Sequence, residues 1–106
     1  MVTNSAFPKN ACKFRLGQMV ATPGAIEVLR RAGDDPATFI ARHRAGDWGD
    51  VCEGDKKLND DAVAHEDDPA RRERVLSSYQ TSANEKLWII TEADRSSTCV
   101  LTPSEY

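Results

Sequence analysis

Two stretches between Thr22 and Gly46 are punctuated in the same way, and that punctuation restricts the fold more than any other feature of the chain. Thr22-Pro23 opens the first and Gly33 closes it; Asp35-Pro36 opens the second and Gly46 closes it. A threonine or aspartate side chain accepts an amide that a helix start would otherwise orphan, and proline just inside the start loses no bond there. A glycine beyond the last turn supplies a left-handed residue that ends the helix. Each interval therefore reads as a short helix. The first carries Ile26, Val28 and Leu29, with Arg30 and Arg31 at the negative end of its dipole. The second bears Phe39, Ile40 and His43. Helices this short are marginal alone, so both must bury an apolar stripe against another layer.

The partner layer is written further along. Val75–Thr81, Lys86–Thr91 and Ser97–Thr102 are three short runs rich in β-branched and aromatic residues, separated at hairpin lengths. They predict a three-stranded antiparallel meander. Trp88 with Ile90, and Leu87 with Ile89, put apolar side chains on both faces of the middle run, so it is central and covered. Before the helices, Phe14, Leu16, Gln18 and Val20 alternate with Arg15, Gly17, Met19 and Ala21, which predicts a strand over 13–21 with Gly17 as a weak point or bulge. A third helix is expected from about Asp55 to His65, with Leu58, Ala62 and His65 on one side and Val63 nearby. Asp47-Trp48-Gly49-Asp50 reads as a turn. The expected fold is α+β: an N-terminal strand, three short helices, then the meander, with the helices packed on one face of the sheet. The N-terminal strand joins the sheet at an edge the pattern does not specify. An apolar strand at an edge also admits pairing with a second copy, a homodimer. Residues 1–12 lack periodicity and read as a flexible arm before a single domain over 13–106.

Composition narrows the function classes. At 106 residues there is room for one core, and 40% apolar with 29% charged residues is a globular balance rather than a disordered one. No apolar run approaches the ~18 residues of a membrane span, and no charged segment leads into an apolar stretch at the N-terminus as in a secretory signal. Cys12, Cys52 and Cys99 are odd in number and widely spaced, with no Cys-x-x-Cys pair, which favours unpaired thiols and a cytoplasmic location. The net charge of −3 is uneven: residues 34–68 hold eleven acids against four bases, −7, and the remainder is +4. An acidic middle repels phosphate and argues against nucleic-acid binding there. Helix caps and turn aspartates account for most of the same residues.

No glycine-rich phosphate loop lies between a strand and a helix, and no serine-hydrolase elbow occurs, so no cofactor is expected. Asp47, Asp50, Glu53 and Asp55 are spaced three, three and two apart, which is not the alternating register of a calcium loop, and no metal is expected. Trp48 either folds back to staple the second and third helices or stands out, ringed by acids, as an anchor for a basic protein partner. In the second case Arg42, Asp47, Trp48 and Asp50 form the binding surface. The most enzyme-like stretch is Thr91–Thr98, where Glu92 as general base and Arg95 as phosphate stabiliser, with His43, would suit a small ribonuclease. The competing account is a hairpin turn in which Asp94 accepts backbone amides and Glu92 pairs with Arg95 at the surface.

Leu16–Ala25, Arg42–Asp50, Asn59-Asp60, Ser78-Tyr79 and Trp88–Ser96 together resemble a family of small plasmid- and island-borne bacterial proteins, labelled plasmid-related and in some cases restriction-modification. The resemblance covers about residues 14–106. It implies a cytoplasmic accessory protein of a mobile genetic element and carries over no catalytic residues. A methyltransferase is not implied, because the chain is too short for that fold and lacks its glycine-rich cofactor loop. The reading that results is a non-enzymatic protein-binding module, directed at a host defence or plasmid-maintenance component. A small ribonuclease or toxin is the alternative, and an acidic nucleic-acid mimic the third.

Overall fold

Both helix starts fall where the capping residues put them. In the computed structural model, which describes residues 13–106, α1 runs Pro23–Ala32 and α2 runs Pro36–Arg44. The Thr22 hydroxyl accepts from the Ala25 amide and the Asp35 carboxylate from the Ala37 amide. Gly33 closes α1 in the left-handed conformation. The remaining elements are β1 (Gln18–Ala21), α3 (Glu53–Ala64), β2 (Val75–Gln80), β3 (Lys86–Thr91), β4 (Ser97–Leu101) and a single 3-10 turn, Pro103–Glu105. The arm expected at 1–12, with Cys12, lies outside the described residues.

The sheet is four-stranded and mixed, in the order β1-β4-β3-β2. The hairpins β2–β3 and β3–β4 are antiparallel, and β1 closes the sheet by running parallel to β4, Gln18 opposite Ser97 and Ala21 opposite Val100. β1 is shorter than the strand expected from alternation. Gly17 interrupts it at φ +65°, where a Cβ would overlap the Arg95 and Ser96 backbone, so the chain enters the strand only at Gln18. Phe14 turns inward instead, and Leu16 packs beside it.

One sheet face carries the core. Val75, Ser77 and Tyr79 of β2, Leu87, Ile89 and Thr91 of β3, and Thr98 and Val100 of β4 share it, since residues two apart point the same way. Ala25, Val28 and Leu29 of α1 and Phe39 of α2 pack on its Tyr79–Leu87–Ile89–Val100 half. Phe14, Trp48, Ala62 and Val75 form a second cluster at the other end.

Two local expectations need correction. Leu58 does not face the core: it is 64% exposed, and α3 turns Asn59 and Ala62 inward. The reason is a backbone requirement at the rim of β2, met by the Asn59 amide. Arg95 does not pair with Glu92 at the surface. It is buried and bonds to Glu66, whereas Asp94 does accept the Ser96 amide as a turn aspartate should.

The last described turn is fastened to the first helix. Glu105 accepts from the Thr22 hydroxyl, the Gly24 amide at 3.0 Å and the Thr102 amide at 2.9 Å. It thus caps its own 3-10 turn and the start of α1 together. These bonds, the Thr22 hydroxyl first, hold its carboxyl down at about 2.

Candidate functional site

The two histidines and the acidic turn can now be placed. His43 projects from α2 into the core, fully buried. Its Nδ1 lies 2.6 Å from the Ser77 hydroxyl and its Nε2 2.9 Å from that of Thr91; Thr91 meets Thr98 at 2.7 Å, and Thr98 donates to the Leu16 carbonyl. A carbonyl can only accept, so the last bond fixes the protons of both threonines and of Nε2, and a ring kept neutral by its low pKa then accepts at Nδ1. Thr98 gives its hydrogen to Leu16, Thr91 gives to Thr98, His43 Nε2–H gives to Thr91, and Nδ1 accepts from Ser77. The ring is therefore the neutral Nε2–H tautomer. Burial, reinforced by the charge of Arg95, pushes its pKa down to about 3. Such a ring orders the interior; it is closed to any substrate.

Arg95 and Glu66 form the other buried polar group. Arg95 adopts φ +60° at the β3–β4 turn, which sends its guanidinium under the second cluster, 5.5 Å from the Phe14 ring. There it donates Nε to Glu66 at 3.0 Å, keeps Nη2 within ion-pair distance of the same carboxylate at 2.9 Å without a hydrogen bond, and donates Nη1 to the carbonyls of Glu73 and Glu92. Of the three residues expected to act in RNA cleavage, His43 and Arg95 are thus brought near each other, both against Phe14, but inside the protein. The third, Glu92, meets Arg95 through its main-chain carbonyl and stands exposed. They do not converge on one cleft.

Arg42, Asp47, Trp48 and Asp50 do not form the expected anchor. Trp48 is only 4% exposed. Its ring stacks edge-on to His43 of α2, and its indole N–H donates to Asp60 of α3 at 2.9 Å, so it staples the two helices. Arg42 lies over the Tyr79 ring and bonds Asp47 at 2.7 Å, which holds the Asp47 carboxyl below its ordinary value. Asp47 and Asp50 are exposed and Arg42 is half-exposed, so Trp48 alone of the four is withdrawn from solvent. Much of the acidic middle is likewise dispersed into internal tasks: Asp34 accepts from Ser82, Asp35 caps α2, Asp60 holds Trp48 and Glu66 holds Arg95. Among the described residues no group of three His, Cys, Asp or Glu side chains could hold a metal ion. Cys52 is exposed and Cys99 half-buried; neither forms a disulfide. No helix among the described residues is long and apolar enough to cross a membrane.

The surface that remains unassigned lies at the two rims of the sheet, and they differ. At the β2 rim every second residue directs its N–H and C=O outward, and those of Leu76 and Ser78 are met. The Leu76 amide and carbonyl bond the Asn59 side chain at 3.2 and 2.7 Å. Ser78 donates to the Trp48 carbonyl and accepts from the Asp50 amide. Gly49 makes that approach feasible: at φ +74° any Cβ there would overlap the Ser78 carbonyl.

At the β1 rim the Gln18 amide bonds Ser96 and the Thr22 amide bonds Val100, so in a parallel ladder the N–H and C=O of Met19 and Ala21 point away from the sheet. Nothing among the described residues meets them. Beside this rim the core face continues into an apolar groove of about 470 Å³, walled by Met19, Ala21, Ile26, Leu29, Pro36 and Ile40. Met19 is 39% exposed, Val20 41% and Ile26 57%. Sequence reading placed Ile26 in the buried stripe of α1, but the stripe is Ala25, Val28 and Leu29. The available signal was the absence of any charge in Gln18–Ala21, unusual for an edge strand.

Comparison with family models, curated proteins and solved structures finds no match to the chain.

Proposed function

We propose that the chain is a non-enzymatic protein-binding module that takes an extended polypeptide strand onto the open β1 rim. The carrying observation is the outward pair of amides and carbonyls at Met19 and Ala21 beside the apolar groove. Main-chain bonds to an edge supply affinity in strand addition, and alternate side chains entering a neighbouring groove supply selectivity. The reading keeps the binding role expected from the sequence and moves its surface from Trp48 to β1. The accessory role on a mobile element, in the cytoplasm, remains the setting that the sequence resemblance implies. The ribonuclease reading is disfavoured by the burial of Arg95 and His43, and the nucleic-acid mimic by the internal bonds of Asp34, Asp35, Asp60 and Glu66.

The test is site-specific photocrosslinking in a bacterial host. Benzoylphenylalanine at Ile26, in the groove, is expected to give a discrete protein adduct, and the same group at Leu58, equally exposed but distant from β1, none. Absence of any adduct at Ile26, or equal labelling at both positions, overturns the reading.

A further inference from the structure

The strand-addition reading leaves its occupant open, and β1 itself has the properties of one. We propose that the polypeptide on the β1 rim is the β1 strand of a second copy, paired antiparallel about a two-fold axis to make a continuous eight-stranded sheet. The inference rests on the strand-addition reading and names its partner.

The register follows from which residues face outward. In an antiparallel pair, two outward-facing residues opposite one another exchange both of their main-chain bonds. With Met19 and Ala21 facing out, a two-fold axis through Val20 sets Met19 against Ala21 of the second copy, and Ala21 against its Met19. Four main-chain bonds result. The same register puts the largest side chain of the strand beside the smallest on the groove side, where both meet Ile26 and Ile40. Val20 meets Val20 of the second copy at the axis, as a close pair without main-chain bonds, on the opposite face with Cys99.

Charge agrees. Like faces like across a two-fold axis, so an unbalanced charge on the rim would repel its own image. β1 has none. The two charged residues bordering the groove, Arg30 and Asp34, are opposite in sign, and each is held within its own copy, Arg30 by Glu27 at 3.0 Å and Asp34 by the Ser82 amide and hydroxyl. The devices that normally keep an edge from self-pairing are lysine, proline or a covering segment. Among the described residues the β2 rim is covered by Asn59, Trp48 and Asp50, and β1 carries no such device.

The test measures mass in solution by light scattering across a concentration series. The wild type is expected at twice the chain mass of 11.7 kDa. Ala21→Pro removes an amide that the monomer does not use, and should return the single-chain mass with the thermal midpoint that the wild type shows at concentrations low enough to dissociate it. Val20→Lys should do the same by placing two ammonium groups at the axis. Mixing Val20→Lys with Val20→Glu should restore the dimer, because only the unlike pair attracts. A wild type monomeric at millimolar concentration overturns the proposal, as does a dimer that Val20→Lys and Ala21→Pro leave intact. The photocrosslink separates the two readings. A monomeric chain whose Ile26 probe labels a different protein keeps strand addition and loses the second copy, whereas a monomer with no adduct loses both.

Discussion

The two rims of one sheet are finished in opposite ways. At β2 an asparagine side chain, a tryptophan carbonyl and an aspartate amide take up the outward main-chain groups, and a glycine is required so that they can approach. At β1 nothing among the described residues takes up the equivalent groups, which lie beside an apolar groove. The difference separates residues that stabilise the fold from residues available to a partner. Around β2 the side chains with recognisable chemistry, His43, Arg95, Glu66, Trp48 and Asp60, bond one another or the backbone. At β1 there is no side chain with distinctive chemistry, and the main chain itself is the reactive feature.

That contrast can be tested by damaging each end. The largest effect is expected from Glu66→Ala, which leaves the buried Arg95 guanidinium without its carboxylate. Breaking such a pair costs about 3–5 kcal/mol, read as a shift in the urea midpoint. A loss below about 1 kcal/mol would mean that Arg95 reaches water and that the β2 end is less closed than described.

Acid should act on the same end through His43. Its folded pKa of about 3 lies below the unfolded value of 6.5, so the unfolded chain takes up the proton first. Stability from this group is full above about pH 6.5 and is lost as pH falls toward 3, by roughly 1.4 kcal/mol per unit. The groups facing the ring are the hydroxyls of Ser77 and Thr91, the rings of Phe14 and Trp48, and the charge of Arg95. None supplies an anion to hold an imidazolium. Unfolding free energies between pH 6.5 and 4.5 should fall more steeply in the wild type than in a His43→Asn variant. Parallel slopes would remove His43 from the account.

Asn59→Ala is intermediate. It deprives the Leu76 amide and carbonyl of their partners, and should cost about 1–3 kcal/mol with faster hydrogen exchange at Leu76. The smallest effect belongs to Ala21→Pro at the other rim, within about 0.5 kcal/mol of the wild type for the monomer, by thermal unfolding at low concentration. If Ala21→Pro costs as much as Asn59→Ala, the β1 rim is structurally engaged and the comparison fails.

The capped elements were legible from local chemistry. Thr22-Pro23 and Asp35-Pro36 set the two helix starts to the residue, because capping depends on residues one to three positions away. The three later strands were equally legible from their β-branched runs. Less could be read where a distant backbone made the demand. Leu58 looked inward by periodicity, yet Asn59 occupies that position, since α3 answers the unpaired edge of β2, 17 residues on. Arg95 looked like a surface turn residue, and no local pattern reports that Glu66, Glu73 and Phe14 would surround it. Trp48 was readable as a staple or an anchor, and only the position of Asp60 decides between them. The open rim was hidden for another reason: strand order is a property of the whole sheet, and β1 is exposed because its neighbour is β4 alone.

The clasp of Glu105 on Thr22 and Gly24, together with the pairing of β1 with β4, has a consequence for synthesis on the ribosome. β1 precedes the other described strands in the chain, and its neighbour in the sheet, β4, is the last of them. Through most of translation the hairpin β2–β3 can form from adjacent segments, whereas β1 has no ladder to join and α1 has no carboxylate at its start. The uncharged Gln-Met-Val-Ala segment therefore waits longer for its pairing strand than any other described strand does. Until β4 has been made neither side of β1 has a described ladder to join, so this end of the sheet is the last to close.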